Sequence, residues 1–430
     1  MQYFSTNRRS PLADFREAAL RGQPDDGGLY FPETVPRLGQ EFLSRFRGWP
    51  KERVAYEVIR PYVGDSIDKE VLLEICRETV LFDFPLVPLG ERICALELFH
   101  GPTLAFKDVG ARFMSRCLQH FTRERGERTL VIVATSGDTG GAVAAGFHGV
   151  EGVDVVILYP KGKVSRVQEV QLTTFGGNVT ALEVDGVFDD CQALAKRMLA
   201  DTEINSRVFV TSANSINIAR WLPQQFYYFF ALAQFEGDSP VFSVPSGNFG
   251  NICAGLLAHA SGLPAGHFIA ACNANAVVPD FMRTGRYEPR QSVATLSNAM
   301  DVGEPSNFVR VLEIFDNELP RLAEVLSATS VTDEETIATM RKVYDDIGYV
   351  LDPHGAVAYK VLADNLVEHP GRKGIFLETA HPVKFDSVSE ILGTFGEVPE
   401  SIRELESKTK VSIEVPADFA TIKEIVLSKL

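Results

Sequence analysis

The sequence has no C-x-x-C pair, no paired histidines beside a cysteine and no apolar run long enough to cross a bilayer. Cys76, Cys94, Cys117, Cys191, Cys253 and Cys272 are scattered, which argues against a disulfide framework or a zinc site and for free, mostly buried thiols. The opening MQYFSTNRRSPLADF lacks the apolar core and small-residue cleavage site of a signal peptide, so a cytoplasmic protein is expected. Basic clusters are missing too. Asp and Glu number 57 against 42 Lys and Arg, a formal charge of -15, and nucleic acid is not an expected partner. That charge repels small anions at long range, so an anion site would need local donors such as backbone amides or a helix N-terminus.

What is present suits a globular chain of more than one domain. Hydrophobic residues make up 45% and charged residues 23% of 430, with no low-complexity segment, and one core rarely grows to that size. Residues 1 to about 90 hold several helix-like stretches and the turn PDDGGLYFPE, punctuated by Pro, Asp and Gly. Beyond them, apolar β-branched runs alternate with longer amphipathic stretches: TLVIVA (129 to 134), VDVVILY (153 to 159), NVTALEV (178 to 184), RVFVTS (207 to 212), PVFSV (240 to 244), HFIAAC (267 to 272) and GIFLET (374 to 379). Continuous apolar strands belong to parallel sheets covered on both faces, so the expectation is an open, doubly wound α/β architecture. Three parts are expected: an N-terminal part over 1–90, a first α/β domain over 91–235 and a second over 236–430. The residues from about 395 onward read as a helix, a short strand (VSIEV) and a final helix.

In such sheets ligands bind where strands end and helices begin, so the loops after the apolar runs carry the chemistry. Gly247, Asn248, Phe249, Gly250 and Asn251 follow PVFSV, where glycines admit a ligand close to the backbone and free amides can wrap a phosphate. An ordinary strand-to-helix turn would use the same residue types. Neither G-x-G-x-x-G nor GK[ST] is matched there, which disfavours dinucleotide and nucleoside triphosphate loops. Ser136, Gly137, Asp138, Thr139 and Gly140 are placed alike after TLVIVA and suit a carboxylate or second phosphate, or simply a helix cap. Lys107 lies in HGPTLAFKDVGARFM among apolar neighbours; it is either a desolvated amine fit for imine formation or a lysine snorkelling along apolar surface.

Taken as a set and in order, HGPTLAFKD, ATSGDTGGA, N-S-I-N-x-x-R (214 to 220), PSGNFGN and TAHPVKF resemble the threonine synthase family, as do the N-terminal YFSTNRRSP and DGGLYFPE. The resemblance runs from Tyr3 to about Phe385. Single loops would match any fold type II pyridoxal-phosphate enzyme; the combination is what resembles this family.

The resemblance implies a fold type II pyridoxal-phosphate enzyme: two doubly wound α/β domains with an additional N-terminal helical part. It would act as a lyase of threonine biosynthesis, converting O-phospho-L-homoserine and water to L-threonine and phosphate, as a monomer or homodimer. Lys107 would be the Schiff-base lysine and the proton carrier. Gly247, Asn248, Phe249, Gly250 and Asn251 would cradle the cofactor phosphate, and Thr379 would face the pyridine nitrogen. A hydroxyl there makes the ring a weaker electron sink than a carboxylate partner would. Ser136 and Thr139 would bind the substrate α-carboxylate, and Asn214, Ser215 and Arg220 its phosphate. Asp138 stands where relatives of the fold place an Asn beside the cofactor's phenolic oxygen, so it is either protonated or directed elsewhere. Asn7 occupies the place after Thr6 where the pattern suggests Arg, leaving Arg8 and Arg9 as neighbours of uncertain role. The nearest alternative is a related fold type II lyase that releases a keto acid.

Overall fold

The computed structural model describes residues 1–237 and 239–430. The N-terminal part has the expected helices, among them Phe15–Arg21, Lys51–Val63 and Lys69–Thr79. It also contains a small antiparallel sheet: β1 (Gln2–Ser5) lies between β2 (Ala13–Asp14) and β3 (Tyr30–Pro32), with Tyr3 opposite both Ala13 and Pro32. This part is therefore not purely helical. Strands of two to four residues are too short to show a periodicity, and only the pairing reveals them.

The remaining strands follow in chain order: β4 (Leu86–Pro88), β5 (Ile93–Glu97), β6 (Thr129–Ala134), β7 (Val153–Pro160), β8 (Val179–Asp185), β9 (Phe209–Ser212), β10 (Val241–Pro245), β11 (His267–Cys272), β12 (Leu326–Ser330), β13 (Gly374–Glu378) and β14 (Ser412–Pro416). They form two sheets, ordered β14-β8-β7-β6-β9 and β12-β11-β10-β13-β5-β4. The first is wholly parallel, and all six residues of β6 are buried, as helices on both faces require. The second is parallel except for β4, which pairs antiparallel to β5 at the edge. Every apolar run read as a strand is one. β4, β5 and β12 escape sequence reading: β4 and β12 are edge strands that face solvent, and β5, beside the edge, is only partly buried, so none shows the continuous apolar signature.

Pairing crosses the boundaries expected at 91 and 236. β5 lies in register with β13, Ile93 opposite Gly374 and Glu97 opposite Glu378, so it belongs to the sheet of the second half. β14 returns to the first sheet beside β8, Ser412 opposite Ala181. Alternation of strands and helices identifies elements, but long-range pairing decides which sheet takes each one. The C-terminal helix, strand and helix expected after 395 are present as Glu400–Glu406, β14 and Phe419–Lys429. Ile422 and Val426 of that last helix are buried in one apolar cluster with Leu182, Val184 and Leu194. None of the helices among the described residues is long and apolar enough to cross a membrane.

Ile422 is fully buried in this returning segment. Ile422→Ala should lower stability by about 2–4 kcal/mol, as removal of a buried branched side chain leaves a cavity. Urea unfolding of the two proteins measures the difference.

Candidate active site

β13 lies between β10 and β5, parallel to both, so the three loops that follow these strands emerge on one edge. Two of them are stitched together. The Phe106 amide donates to the Thr379 carbonyl at 2.9 Å, the His381 amide donates to the Leu104 carbonyl at 3.0 Å, and Ala105 bridges Ala380. Leu104 takes a left-handed φ of 56°, which a non-glycine residue adopts only when its surroundings impose it. Lys107 is the first residue of the helix Lys107–Arg125, and the stitching fixes it relative to Thr379. The same turn is closed by Asp108, whose buried carboxylate accepts from the Thr103 amide at 2.9 Å and the Thr103 hydroxyl at 2.5 Å.

Lys107 is partly buried, with its ammonium 5.7 Å from the centre of the Phe106 ring. Burial pushes its pKa down. Asp138 opposes that shift, and the positive charges of Lys384 and Arg220 reinforce it. The result is an amine readier than a surface lysine to be neutral.

The first sheet contributes the loop after β6. Its shape comes from Thr135, whose hydroxyl oxygen accepts from the Gly137 amide at 3.0 Å and the Gly140 amide at 2.9 Å. Ser136 is exposed at the tip and Thr139 is partly buried one turn on. Asp138 is buried, and its Oδ1 receives Lys384 Nζ at 2.9 Å and Gln168 Nε2 at 3.0 Å. Burial alone would raise the carboxyl pKa, but Lys384 and Lys107 outweigh it and hold Asp138 well below the usual carboxylate range. Asp138 is thus paired with Lys384, a partner the sequence reading did not offer. Lys384, with 0% of its side chain exposed, is a site residue that sequence reading missed. It is the last basic residue of TAHPVKF, but lysines are almost never fully buried, and its partner lies 246 residues earlier.

The loop after β10 has the features of an anion cradle. A Cβ on Gly247 would stand 2.5 Å from the Met300 Cα, so only glycine fits. Phe249 takes a left-handed φ of 61° at the start of the helix Gly250–Ala260, whose first amides lack intrahelical partners. Asn251 Oδ1 accepts from the Tyr228 hydroxyl at 2.9 Å, while its buried Nδ2 has no partner among the described residues. Asn248 behaves otherwise. Its Nδ2 donates to Ser215 Oγ at 2.9 Å and its Oδ1 accepts the Ser306 amide at 2.6 Å, so its side chain joins loops of the two sheets.

The loop after β9 carries Asn214, Ser215 and the helix Ile218–Trp221 with Arg220. Arg220 is 3% exposed; its Nη1 donates to the Ala213 carbonyl at 2.5 Å and its buried Nε has no partner among the described residues. It makes no ion pair among the described residues, and burial lowers its pKa to about 10. Its carbonyl and Nε lie against Gly110, one turn along from Lys107. Arg310, also unforeseen, is fully buried and donates to Tyr30 O at 3.1 Å, Asn307 Oδ1 at 2.9 Å and Ile216 O at 2.6 Å. Asn307 Nδ2 in turn reaches the Asn248 carbonyl at 3.1 Å. Arg8 pairs with Glu313 at 2.6 Å and lies over Phe4, and Arg9 is exposed; neither joins these loops.

This donor set fits pyridoxal phosphate: an amine with depressed pKa, a hydroxyl at a strand end, and a helix N-terminus with an unpartnered buried amide for the phosphate. Comparison with known proteins agrees. A family profile described as pyridoxal-phosphate dependent enzyme matches residues 75–376, and two described as threonine synthase N terminus and threonine synthase, C-terminal, match 2–80 and 355–426. The chain is 42% identical over 432 residues to threonine synthase of Escherichia coli, with 100% of both chains covered. It is 36% identical to that of Pseudomonas aeruginosa over 99% of this chain and 98% of the relative. Among solved structures, the E. coli threonine synthase superposes with a TM-score of 0.92 over 100% of both chains at 41% identity. The PLP-bound threonine synthase of Brucella melitensis does so with 0.92 at 36% identity, covering 99% and 98%. A threonine deaminase of Solanum lycopersicum, 17% identical with a TM-score of 0.57 and coverage of 75% and 88%, shares the fold alone.

The absence of room at Gly247 gives a direct test of the cradle. Gly247→Ala should keep the fold but weaken pyridoxal phosphate binding by about tenfold or more, the equivalent of one charge-assisted hydrogen bond lost from the phosphate. Fluorescence titration of the apoprotein with the cofactor reads it.

Proposed function

The chain belongs to the threonine synthase family of pyridoxal-phosphate-dependent enzymes, and from that premise we propose that it converts O-phospho-L-homoserine and water to L-threonine and phosphate in the cytoplasm. The observation that carries the substrate assignment is Arg220, a buried guanidinium with no carboxylate partner and an unused Nε among the described residues, set against the Lys107 helix. A buried cation without a counter-ion is costly, and a substrate phosphate would relieve that cost. A lyase acting on an unphosphorylated amino acid has no use for such a group.

Lys107 would hold the cofactor covalently, the loop from Gly247 to Asn251 would grip its phosphate, and the Thr379 hydroxyl would serve its ring nitrogen. When bound, the cofactor supplies the electron sink that makes protons next to the substrate amine removable. Lys107 Nζ, neutral once released, would carry the protons: the one taken from Cα returns there at the end, the one taken from Cβ as phosphate leaves goes to Cγ to make the methyl group, and the water that gives its hydroxyl to Cβ leaves its other proton with the phosphate. Depression of its pKa by burial keeps the required neutral form accessible. Ser136 and Thr139, flanking the start of the helix Asp138–Phe147, orient the α-carboxylate. Asn214, Ser215 and Arg220 hold the phosphate through its departure, and water then adds at Cβ. Ser215 reports on both phosphates, because its hydroxyl is already bonded to Asn248 of the cofactor loop.

Borohydride reduction of the holoprotein followed by peptide mapping should place the pyridoxyl adduct on Lys107, and an adduct elsewhere refutes the assignment. Lys107→Ala should lower threonine formation by about 10³-fold or more, as loss of a general base together with the covalent anchor predicts. Arg220→Ala should cut kcat/KM for O-phospho-L-homoserine by about 10- to 100-fold, chiefly through KM, as loss of a charge-assisted contact does. Amino-acid analysis of the products decides between readings: 2-oxobutyrate in place of threonine would establish the alternative lyase.

A further inference from the structure

Lys384 is the one buried cation of the site whose use remains open. An ammonium carries three donors. One reaches the Thr103 carbonyl at 2.6 Å and a second reaches Asp138 Oδ1 at 2.9 Å. The third has no acceptor among the described residues, and with 0% of the side chain exposed it cannot turn to bulk water. A polar group left so is expensive unless a ligand completes it. The charges facing it are Asp138 on one helix, Lys107 and Asp108 on another, and His381 on its own loop.

Pyridoxal phosphate brings one acidic group besides its phosphate, the ring hydroxyl, whose anion needs a donor. Asp138, held ionised, can only accept. Lys107 would be taken up in holding the cofactor, and Thr379, five residues before Lys384 on the same loop, would face the ring nitrogen. We infer that Lys384 donates a hydrogen bond to the cofactor's ring oxygen, with Asp138 as its counter-ion. The inference rests on the site reading that places the cofactor on Lys107. Lys384 is then a cofactor-binding residue, and the pair keeps the site's net charge unchanged while presenting its cationic end to the ring. Gln168 and the Thr103 carbonyl, itself also bonded to Gln171 Nε2 at 3.0 Å, hold the pair in place.

The test uses holoprotein without substrate, so that only the cofactor's environment is read. Two double variants remove the ammonium without leaving a lone buried charge: Asp138→Leu/Lys384→Met, with no donor, and Asp138→Asn/Lys384→Met, with an amide donor. The bound cofactor's visible absorbance is titrated with pH, and cofactor affinity and thermal unfolding of the apoprotein are measured alongside. A cationic donor favours the ring-oxygen anion, so its loss should raise the absorbance midpoint by about one pH unit in the leucine-containing variant. Affinity should fall by about tenfold with it. The asparagine-containing variant should lie between it and the parent, because a neutral amide is a weaker donor; it also supplies the reading if the apolar pair does not fold. A purely structural ion pair would change the melting temperature alone, and a parent-like midpoint and affinity in either folded variant overturns the inference. Peptide mapping of the parent separates the two levels. An adduct away from Lys107 removes the site reading and Lys384 with it, whereas an adduct on Lys107 with unchanged variants removes only Lys384.

Discussion

The short backbone ladder between residues 104–106 and 379–381 is the constraint on which the rest of the site depends. It joins the loop before Lys107 to the loop after β13, segments some 275 positions apart in sequence. The two amide hydrogen bonds of this bridge leave the amine and the Thr379 hydroxyl little freedom to drift apart, and the left-handed Leu104 is the strain this geometry requires. The ladder is possible because β5, although it precedes the first sheet in sequence, pairs with β13 in the second. A site built on strand ends of one sheet inherits the rigidity of that sheet, which suits chemistry that must hold a proton carrier close to a planar ring.

The N-terminal part is tied into the site in the same manner. Arg310 takes the Tyr30 carbonyl and the Ile216 carbonyl together, and its guanidinium lies 4.4 Å from the Trp221 ring, which stacks on Phe31. Asn217, capping the Arg220 helix, donates to the Ala19 carbonyl at 2.8 Å. The loop that carries Asn214, Ser215 and Arg220 is thus braced from behind by the first thirty residues. That bracing explains why a segment with no legible chemistry of its own belongs to the functional unit.

The strands of the first sheet, three of the six in the second and the polar loops after them were legible in the sequence, for a specific reason. A buried parallel strand must be apolar on both faces, and the loop after it must be small and polar if a ligand is to enter, so TLVIVA-TSGDTGG and PVFSV-PSGNFGN announce both at once. What stayed hidden was pairing between distant positions. Lys384 and Asp138, Arg310 and Ile216, β5 and β13, β14 and β8 each consist of two unremarkable pieces whose meaning exists only when they meet. Asn248 shows a subtler limit: its place in a glycine-rich strand-to-helix loop was evident, but not that its side chain is bonded to Ser215 and Ser306.

Charge distribution links these features. The chain is acidic overall, yet Lys107, Lys384, Arg220 and Arg310 are gathered around the loops, three of them nine-tenths or more buried. Among the described residues only Lys384 of the four has a carboxylate partner; carbonyl oxygens satisfy part of the others, and Arg220 Nε and Asn251 Nδ2 remain without one. Such a set is under-compensated as long as no anion is bound, since hydrogen bonds to neutral carbonyls do not cancel the cost of removing a cation from water. A cofactor phosphate and a substrate phosphate supply the missing negative charges, and by linkage each stabilises the folded chain in proportion to how strongly it binds. The acidic surface then works with the interior: it gives no long-range attraction for anions in general, so retention depends on matching the fixed donors inside. On the proposed reading, selectivity for a phosphate-bearing amino acid follows from where the cations are buried, and not from the net charge of the protein.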